Sequence, residues 1–534
     1  MKVIALGGIE ENGKNCYIVE TKEDLVIIDM GSKKYDNVSL GVDTVVNDLE
    51  YLISKKDKIR GVLVSHTHHQ HMGGIEYLIK EIQVPIYGSK YTIEYLKNDV
   101  KYQNYQILNE HRPLKLGNLT VENFKLSHSV FGHLGFLIAQ GKEAVVYATD
   151  YNFNQSAKKS TRTDIEKIIK LKNHYNIKLL LTEAKFADHH GVASGDLSFL
   201  PAFNRLTENL QGKLFITLYS DNISGMTNII KIAAKHKKKI VIIGKKLLTY
   251  VNVSKKLGYI DHVSDTFIKV NDIDRYAPSE VIVIVSGDFL EPFETLESLA
   301  KKHHPITTIM AKDTVMIASE PSDEIEGIVQ QKLDQVSRTH CYITHLKVDV
   351  SDHAHEEDIK MMLNFFEPEY IIPINAEYRK LKKIQEIAKN LSYKEDKVKL
   401  ISNGDVVDID QNVNIIDTVK TESKLVNKDS KETVAPMLLF DRENLTQEGY
   451  VLITLIVDKK NKKLVQDPEV LSGGLMSFDD DENLISKCVE IVKKELKDQP
   501  LNDNLSKVKN KVKRFLNNKI GKSPVILTVK IEVK

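Results

Sequence analysis

The sequence has few of the residues that cross-link small secreted domains. Only three cysteines occur, Cys16, Cys341 and Cys488, and they lie far apart without a CxxC pair. This spacing argues against a disulfide framework and against a cysteine-based zinc site. We therefore expect three reduced thiols, as in a cytosolic protein.

Long hydrophobic runs are also missing. No window reaches the roughly 18 consecutive apolar residues that a membrane helix needs. The amino-terminal segment arrives at Gly7 and Gly8 without an apolar signal core. The sequence predicts neither a membrane span nor a secretory signal, and we expect a cytoplasmic protein.

An excess of charge of either sign is absent as well. The 534 residues include 75 Lys and Arg against 74 Asp and Glu, a formal net charge of +1. That balance excludes a polybasic protein that coats nucleic acid through bulk electrostatics, but it allows a local basic groove. With 42% hydrophobic and 28% charged residues, the composition is that of a globular protein. At about 150 residues per domain, the length suggests two to four domains.

The first 200 residues have the pattern of short strands separated by turn signals. Apolar runs of strand length occur at 3–8, 15–20, 25–31, 61–66 and 144–150, and helical patterns at 45–55 and 73–82. Several predicted strands end on a polar side chain, namely Asp29, His66, Asp150 and Glu183. Side chains on loops at strand ends are typical of α/β active sites.

The rest of the chain divides into further segments. A second α/β pattern begins near residue 200, and strand-end chemistry returns near residue 340. Residues 415–445 are polar and weakly periodic, which predicts a linker or an exposed loop. Residues 450–534 predict a small β-α-α-β unit.

A histidine cluster is the sharpest chemical signal. The cluster comprises His66, His68, His69 and His71; it comes directly after the apolar run at 61–65 and precedes Gly73-Gly74 and a helix. Imidazole suits Zn²⁺ and Mn²⁺, and ligands two residues apart on a turn can converge on one ion. The alternative is a solvated histidine-rich loop. The position at a strand end favours the metal site.

The cluster resembles the HxHxDH motif of the metallo-β-lactamase superfamily. His66, His68 and His71 match it, and Gln70 stands in place of its aspartate. Further positions match in chain order, namely Asp29, His128 and the metal-bridging Asp150. Segments at 218–230, 241–247, 283–292 and 313–321 resemble the strands of a β-CASP insert. Residues 349–381 resemble the ribonuclease J stretch that usually has the pattern HxSGHGSxEELKxML followed by IPVHGEYR.

The resemblance to the ribonuclease J family covers nearly the whole chain, and it implies the fold. We expect an α/β protein with a metallo-β-lactamase αββα sandwich, an inserted β-CASP domain and a small carboxy-terminal α+β domain. The expected boundaries are 1–200 and 340–415 for the sandwich, 201–339 for the insert, 416–448 for a linker and 449–534 for an oligomerisation domain.

The resemblance also implies two metal positions of unequal quality. The first takes its ligands from His66, His68, His128 and Asp150, and all four are present. The second takes its ligands from positions 70, 71, 150 and 375, which here are Gln70, His71, Asp150 and Asn375. A neutral amide is a poor substitute for a carboxylate or an imidazole. We therefore expect at most one tightly bound Zn²⁺ or Mn²⁺ per chain.

The surrounding positions depart from the family pattern too. Glu183 replaces an aspartate, and the HxSGH loop, which in the family binds a substrate phosphate, is Asp349-Val350-Ser351-Asp352-His353. Added acids repel a phosphate. The implied catalytic residues are Asp150 and His353, with His353 as general acid or alternatively a structural histidine. Asp349, Ser351, His353 and Ser286 are the implied substrate-binding residues.

These changes resemble a degenerate ribonuclease J paralogue that partners an active homologue. The expected function is a structural or RNA-positioning subunit of mRNA decay and rRNA processing, with weak or absent nuclease activity, in a homodimer or hetero-oligomer. The alternative is a working metal-dependent 5′-to-3′ exoribonuclease, possibly also an endonuclease. Single-stranded RNA needs basic and aromatic residues, for which Lys245, Lys246, Tyr250 and Tyr219-Ser220 are weak candidates. We interpret His69, His189 and His190 as surface residues.

Overall fold

The computed structural model describes residues 1–34, 42, 44–154, 161–193, 199–260, 264–321, 325–346, 353–410, 412–427, 433–434, 436–459, 463–475, 482–496 and 505–533. These residues form two compact units. The first contains residues 1–33 and 46–423, and the second contains residues 34–45 and 424–534.

The strands, in chain order, are β1 (Lys2–Gly7), β2 (Cys16–Glu20), β3 (Leu25–Ile28), β4 (Ser32–Lys34), β5 (Thr44–Asn47), β6 (Ile59–Val64), β7 (Ile86–Gly88), β8 (Tyr105–Ile107), β9 (Leu114–Leu116), β10 (Leu119–Lys125), β11 (Leu134–Gln140), β12 (Glu143–Ala148), β13 (Asn176–Glu183), β14 (Leu214–Tyr219), β15 (Lys239–Ile243), β16 (Val281–Gly287), β17 (Thr314–Ile317), β18 (Tyr342–His345), β19 (Tyr370–Ile374), β20 (Asp405–Asp408), β21 (Asn414–Thr418), β22 (Ser423–Val426), β23 (Thr433–Val434), β24 (Tyr450–Asp458), β25 (Glu469–Gly473) and β26 (Val525–Val533).

The α-helices are α1 (Glu50–Ser54), α2 (His69–Met72), α3 (Ile75–Glu81), α4 (Lys90–Asp99), α5 (Ile165–His174), α6 (Phe199–Glu208), α7 (Ile223–Lys235), α8 (Lys245–Lys256), α9 (Glu291–Ala300), α10 (Glu326–Ser337), α11 (Glu356–Phe366), α12 (Tyr378–Asn390), α13 (Pro436–Glu448), α14 (Glu482–Leu496) and α15 (Ser506–Ile520).

Two packed sheets form the centre of the first unit. One has eight strands in the order β21-β20-β1-β2-β3-β6-β7-β8, and the other has six in the order β19-β13-β12-β11-β10-β9. A continuous cluster of buried side chains joins them, including Tyr17, Phe124, Phe136, Tyr147 and Phe366. The central strands β2 and β3 are buried along their whole length, which explains their continuous apolar runs. The predicted αββα sandwich is confirmed.

The carboxyl ends of several strands meet at one edge of this sandwich. β3 pairs parallel with β6, and β12 pairs parallel with β13, which in turn pairs parallel with β19. Asp29, Ser65, Asp150 and Asn375 each follow directly, or one residue after, the end of such a strand. Parallel pairing thus gathers polar side chains that are far apart in the sequence at one place.

The β-CASP part is a five-stranded parallel sheet in the order β15-β16-β14-β17-β18, flanked by helices. It is fixed to the sandwich by buried tyrosines. The Tyr250 hydroxyl donates to the Thr67 carbonyl oxygen (2.8 Å), and the hydroxyls of Tyr91 and Ser254 lie 2.9 Å apart. Tyr250 is only 3% exposed and its ring stacks on Tyr95. Tyr250 as a platform for RNA bases was therefore a wrong expectation, because its ring is already packed.

The second unit contains a three-stranded sheet in the order β25-β24-β26, packed against α14 and α15. Its core includes Val451, Leu455, Cys488, Val512 and Leu516. The β-α-α-β pattern predicted from the sequence is present, and β25 is an additional strand that pairs antiparallel with β24. The three cysteines of the chain are unpaired thiols.

One local expectation was wrong. The helix expected at 45–55 begins only at Glu50, and Val45 and Val46 lie in strand β5. Valine is branched at Cβ and favours the extended backbone. Asn47 and Asp48, whose side chains disfavour a helix interior, lie between these valines and the helix. The segment expected to be a linker contains β21, which pairs with β20, and helix α13. Within the described residues, no helix combines the length and the hydrophobicity that a bilayer crossing requires.

We expect Asp358 to fix the loops beside the strand ends. Its buried carboxylate accepts backbone N–H groups from Phe153 (3.1 Å), Ala193 (2.6 Å) and His355 (3.1 Å). Asp358→Ala leaves these donors without an acceptor and should lower the free energy of unfolding by about 3 kcal/mol. Urea unfolding followed by circular dichroism measures this. The exposed neighbour is the control, since Glu357→Ala should change stability by less than about 0.5 kcal/mol.

Candidate metal centre

Three imidazoles and one carboxylate converge at the edge where the strands end. The potential ligand atoms of His66, His68, His128 and Asp150 all lie within 4.8 Å of one another. His66 and His68 follow β6, His128 follows β10, and Asp150 follows β12. The structure thus brings together four residues that the sequence spreads over 85 positions.

The protonation of His66 can be derived from its neighbours. The Ser65 hydroxyl donates its single proton to Asp29 Oδ2 (2.8 Å), so its oxygen must accept from His66 Nδ1 (3.0 Å). This leaves the lone pair of Nε2 directed into the cluster. Nε2 is buried, has no hydrogen-bond partner among the described residues, and lies 3.4 Å from Asp150 Oδ2. A buried lone pair of this kind fits a metal ligand.

The electrostatics of the cluster also fit a cation. Burial lowers the pKa of His66 well below its usual range and lowers the pKa of His68 to about 3. Both imidazoles are therefore neutral at physiological pH, as a metal ligand must be. His68 Nδ1 lies 3.1 Å from His128 Nε2, so both ring nitrogens face the same point. The residues present fit one divalent ion on three nitrogens and one oxygen.

Asp29 lies beneath the histidine cluster and holds the turn after β6 through hydrogen bonds. It has a left-handed backbone conformation (φ 58°) and is fully buried. Its Oδ1 accepts the Ser65 N–H (2.7 Å), and its Oδ2 accepts the hydroxyls of Ser65 (2.8 Å) and Tyr147 (2.6 Å). These bonds fix the turn that presents His66. Asp29 is an outer residue that orients a ligand rather than a ligand itself.

His71 bridges two carboxylates. Its Nδ1 lies 2.7 Å from Asp29 Oδ2, and its Nε2 lies 3.1 Å from Asp150 Oδ2. Burial opposes a charge on the ring, but Asp150 and Asp29 outweigh it and raise the pKa of His71 to about 9. A protonated ring has no lone pair for a metal. The two carboxylates thus favour the protonated form of the His71 ring.

Two amide side chains lie where the family resemblance implies a second ion. Asn375 Nδ2 donates to Asp150 Oδ1 (2.8 Å), which also accepts the hydroxyl of Thr149 (2.8 Å). Asn15 Nδ2 donates in turn to Asn375 Oδ1 (3.1 Å). Oδ1 of Asp150 thus accepts hydrogen bonds from two donors. A hydrogen-bond donor directed at this oxygen cannot also be a metal ligand there.

Gln70 contributes its backbone rather than its side chain. Its carbonyl oxygen accepts from the backbone N–H of Asn15 (3.0 Å) and from Asn15 Nδ2 (3.2 Å). The Gln70 side chain makes no hydrogen bond to the residues that the structure describes. Sequence reasoning missed Asn15, and its only signal was a polar residue immediately before β2.

A second group of potential ligands adjoins the first and contains Asp150, Glu183 and His353. His353 Nδ1 lies 2.8 Å from Glu183 Oε2, and its Nε2 lies 2.9 Å from Lys185 Nζ. A lysine ammonium can only donate, so Nε2 accepts and Nδ1 carries the proton to Glu183. Burial lowers the pKa of His353 and raises that of Glu183. Lys185 was not predicted from the sequence.

Most of the predicted phosphate-binding loop lies outside the described residues, which resume at His353. Asp349, Ser351 and Asp352 lie outside the described residues. Ser286 is buried near the end of β16, and its Oγ has no hydrogen-bond partner within the described part of the chain. The β-CASP part approaches the cluster through Asp221, whose Oδ2 lies 3.9 Å from His68 Nε2.

The weaker basic and histidine predictions have mixed outcomes. Lys246, which was expected to face RNA, forms an ion pair with Asp288, and Asp288 also accepts the Ser220 hydroxyl. His189 and His190 are exposed, as predicted, whereas His69 is half-buried.

The sequence matches four described families along its length. They are "Ribonuclease J, beta-CASP domain" (residues 211–336), "Ribonuclease J C-terminal domain" (437–533), "Metallo-beta-lactamase superfamily" (9–244) and "Zn-dependent metallo-hydrolase RNA specificity domain" (346–398). These families include metallo-hydrolases and an RNA specificity domain, in agreement with a divalent-metal centre and RNA as the class of ligand.

Two curated relatives cover nearly all of the chain. Ribonuclease J2 of Bacillus subtilis (strain 168) is 30% identical over 100% of this chain and 99% of its own length. Ribonuclease J 2 of Staphylococcus saprophyticus is 28% identical over 92% of this chain and 90% of its own length. A crystal structure of a protein of unknown function from Enterococcus faecalis V583 has the same fold, with a TM-score of 0.52, 16% identity, and coverage of 76% of this chain and 99% of that one.

Proposed function

Because this chain belongs to the ribonuclease J family, we propose that it is a ribonuclease J-type subunit of RNA decay and processing with weak or no nuclease activity of its own. One observation carries the proposal. Asn375 donates a hydrogen bond to Oδ1 of Asp150, at the position where the second ion of a two-metal nuclease would bind. The site then retains the ligands of one ion.

A single Zn²⁺ or Mn²⁺ on His66, His68, His128 and Asp150 would lower the pKa of a bound water, but it could not hold both the attacking and the leaving oxygen of a phosphodiester. The protein supplies the remaining positive charge through His71, which balances Asp29 and Asp150. This internal cation stabilises the fold of the site. It is held on both sides and has no position free for a phosphate oxygen.

His353 is a poor general acid in this environment. A general acid must carry a transferable proton near the operating pH. The ring is neutral, its only proton faces Glu183, and its other nitrogen accepts from Lys185. We propose that His353 has a positioning role between these two side chains. From the family pattern we also propose a catalytic role for Asp150 and substrate-binding roles for Asp349, Ser351 and Ser286.

We further propose the cytoplasm as the location, single-stranded RNA as the ligand, and an active ribonuclease J homologue or a second copy of this chain as the protein partner. We retain 1–200 and 340–415 for the metallo-β-lactamase domain, 201–339 for the β-CASP domain, 416–448 for the connection and 449–534 for the oligomerisation domain. The family matches at 211–336 and 437–533 support this division.

Metal content tests the one-ion site. The purified chain should bind one Zn²⁺ or Mn²⁺ tightly, because a complete ligand set exists only at the first position. Elemental analysis after dialysis should give about one ion per chain, and His128→Ala should lower this severalfold, since it removes one of four ligands. The exposed histidine is the matched control, and His190→Ala should keep the ion. Two retained ions per wild-type chain contradict the proposal.

Restoring the second ligand set tests the proposed loss of activity. Gln70→Asp with Asn375→His should add a second ion and raise the Mn²⁺-dependent nuclease rate at least tenfold. Histidine tolerates the positive φ of 57° at position 375. Recovery should be partial, since Glu183 and Asp349 remain. Metal analysis and hydrolysis of a 5′-labelled RNA measure both effects.

A matched variant separates the ligand from the lost amide. Asn375→Leu removes the hydrogen-bond donor without adding a metal ligand, and it should gain neither metal nor rate. A wild-type chain that already degrades RNA as fast as the double variant would favour the alternative, a working 5′-to-3′ exoribonuclease.

The sheet of the second unit offers a surface for assembly. One face of β24 and β26 packs on the helices, and the other presents Leu527, Val529 and Ile531, which are 43%, 44% and 44% exposed. Leu471 of β25 is 52% exposed. Contiguous exposed apolar side chains mark a protein contact. We propose that this face joins a second copy or an active homologue.

Charges on this face should weaken assembly. Val529→Glu with Ile531→Glu would bury two carboxylates at a contact, so the dissociation constant should rise more than tenfold. Analytical ultracentrifugation of the chain alone, and of its mixture with an active homologue, measures this. The control is Lys22→Glu on the first unit, which should not change assembly. Unchanged sedimentation of the double variant would assign the contact to another surface.

A further inference from the structure

Helix α15 carries a concentration of positive charge that the overall composition conceals. Its 15 residues include six cations and no acid, namely Lys507, Lys509, Lys511, Lys513, Arg514 and Lys519. The longer segment 505–531 contains eight Lys and Arg residues and no Asp or Glu. In a chain of net charge +1, this is a strong local imbalance.

The helix is amphipathic, and its cations face outward. Val508, Val512 and Leu516 are buried against the sheet of the second unit at spacings of four residues. On the opposite side, Lys507, Asn510, Arg514 and Asn517 recur at spacings of three and four residues and are exposed. Lys513 is also exposed and flanks this row. We call the surface formed by Lys507, Asn510, Lys513, Arg514 and Asn517 the α15 face.

Few of these charges pair with a carboxylate of the described residues. Among the residues that the structure describes, α15 makes one ion pair, between Lys511 and Glu495 of α14. Other helices balance their cations internally, as in Lys170 with Glu166 of α5 (2.5 Å) and Lys301 with Glu297 of α9 (2.6 Å). An unbalanced row of cations costs stability through mutual repulsion. A bound polyanion would remove that cost.

We propose that the α15 face binds the phosphodiester backbone of RNA, outside the metal centre. Lys and Arg neutralise phosphates, and asparagine amides donate to phosphate and sugar oxygens. The proposal rests on the proposed role in RNA metabolism and adds a second RNA contact on the carboxy-terminal unit. Since the contact lacks exposed aromatic side chains for stacking, it should be insensitive to sequence.

The composition of the face favours RNA over a membrane surface. A helix that lies on a bilayer inserts an apolar face between the lipid headgroups. The apolar side of α15 is already packed in the core of its unit, and none of the large hydrophobic residues of α15 is exposed. The face therefore offers charge and hydrogen-bond donors without an anchor.

Neutralising the face in the full-length chain tests the proposal. The variant Lys507→Gln, Lys513→Gln, Arg514→Gln keeps the buried valines and leucine and should fold normally. We expect roughly tenfold weaker binding of a single-stranded 30-nucleotide RNA at low salt. The slope of log K against log [salt] should fall by about 2, because each lost single-strand phosphate contact contributes about 0.7. Fluorescence anisotropy between about 50 and 200 mM salt measures both quantities.

Two matched variants control for folding and for net charge. Lys22→Gln, Lys56→Gln, Lys80→Gln removes the same charge from exposed positions of the first unit and should bind RNA as the wild type does. Lys507→Arg, Lys513→Arg, Arg514→Lys keeps the charge of the face and should also bind normally. Circular dichroism and metal content should be the same in all four proteins.

The outcomes separate this inference from the proposed function. If the wild type does not bind RNA, the proposed RNA role fails and the α15 contact fails with it. If the wild type binds and the neutral α15 variant binds equally well, or loses no more than the first-unit control, only the α15 contact is overturned. Anionic vesicles of phosphatidylglycerol and phosphatidylcholine serve as a competing polyanion. Binding to them that matches or exceeds RNA binding and depends on the α15 residues would overturn the assignment to RNA.

Discussion

The two oxygens of the Asp150 carboxylate divide the site into halves with different chemistry. Oδ2 faces the imidazoles of His66, His71 and His128, and Oδ1 accepts from Thr149 and Asn375. The first half retains the donors that a divalent ion requires, and the second is closed by hydrogen bonds. A carboxylate can bridge two metal ions by offering one oxygen to each of them. Here Oδ1 accepts hydrogen bonds from two neutral donors, and the imidazoles gather around Oδ2.

Charge balance explains why such a site can stay folded. Buried carboxylates are costly unless they are paired. Asp29 and Asp150 share His71, and Asp29 also accepts from Ser65 and Tyr147. The adjoining Glu183 is held by backbone N–H groups and by His353. These contacts balance the buried charges of Asp29, Asp150 and Glu183 within the protein itself.

The second unit has two chemically distinct surfaces on one small core. Its sheet presents apolar side chains of β25 and β26, and its helix α15 presents cations and amides. An apolar surface suits a protein contact, and a cationic surface suits a polyanion. Both proposed contacts are thus compatible with one small unit and do not involve the metal centre.

The sequence by itself determined the class of fold and the candidate ligands of one ion, because these depend on local patterns. Apolar runs of strand length that end in Asp29, His66 and Asp150 predicted polar site residues at strand ends. The sequence also showed that position 375 is an asparagine in place of the family's histidine. The sequence did not determine what Asn375 does, since an amide can accept with its oxygen or donate with its nitrogen. Only the packing of β19 beside β13, with Asn15 bound to the amide oxygen, directs its N–H at Asp150. The RNA-binding roles expected for Tyr250 and Lys246 were wrong for the same reason. Whether a side chain is free to bind a ligand depends on partners that are distant in the sequence, here Thr67 and Asp288.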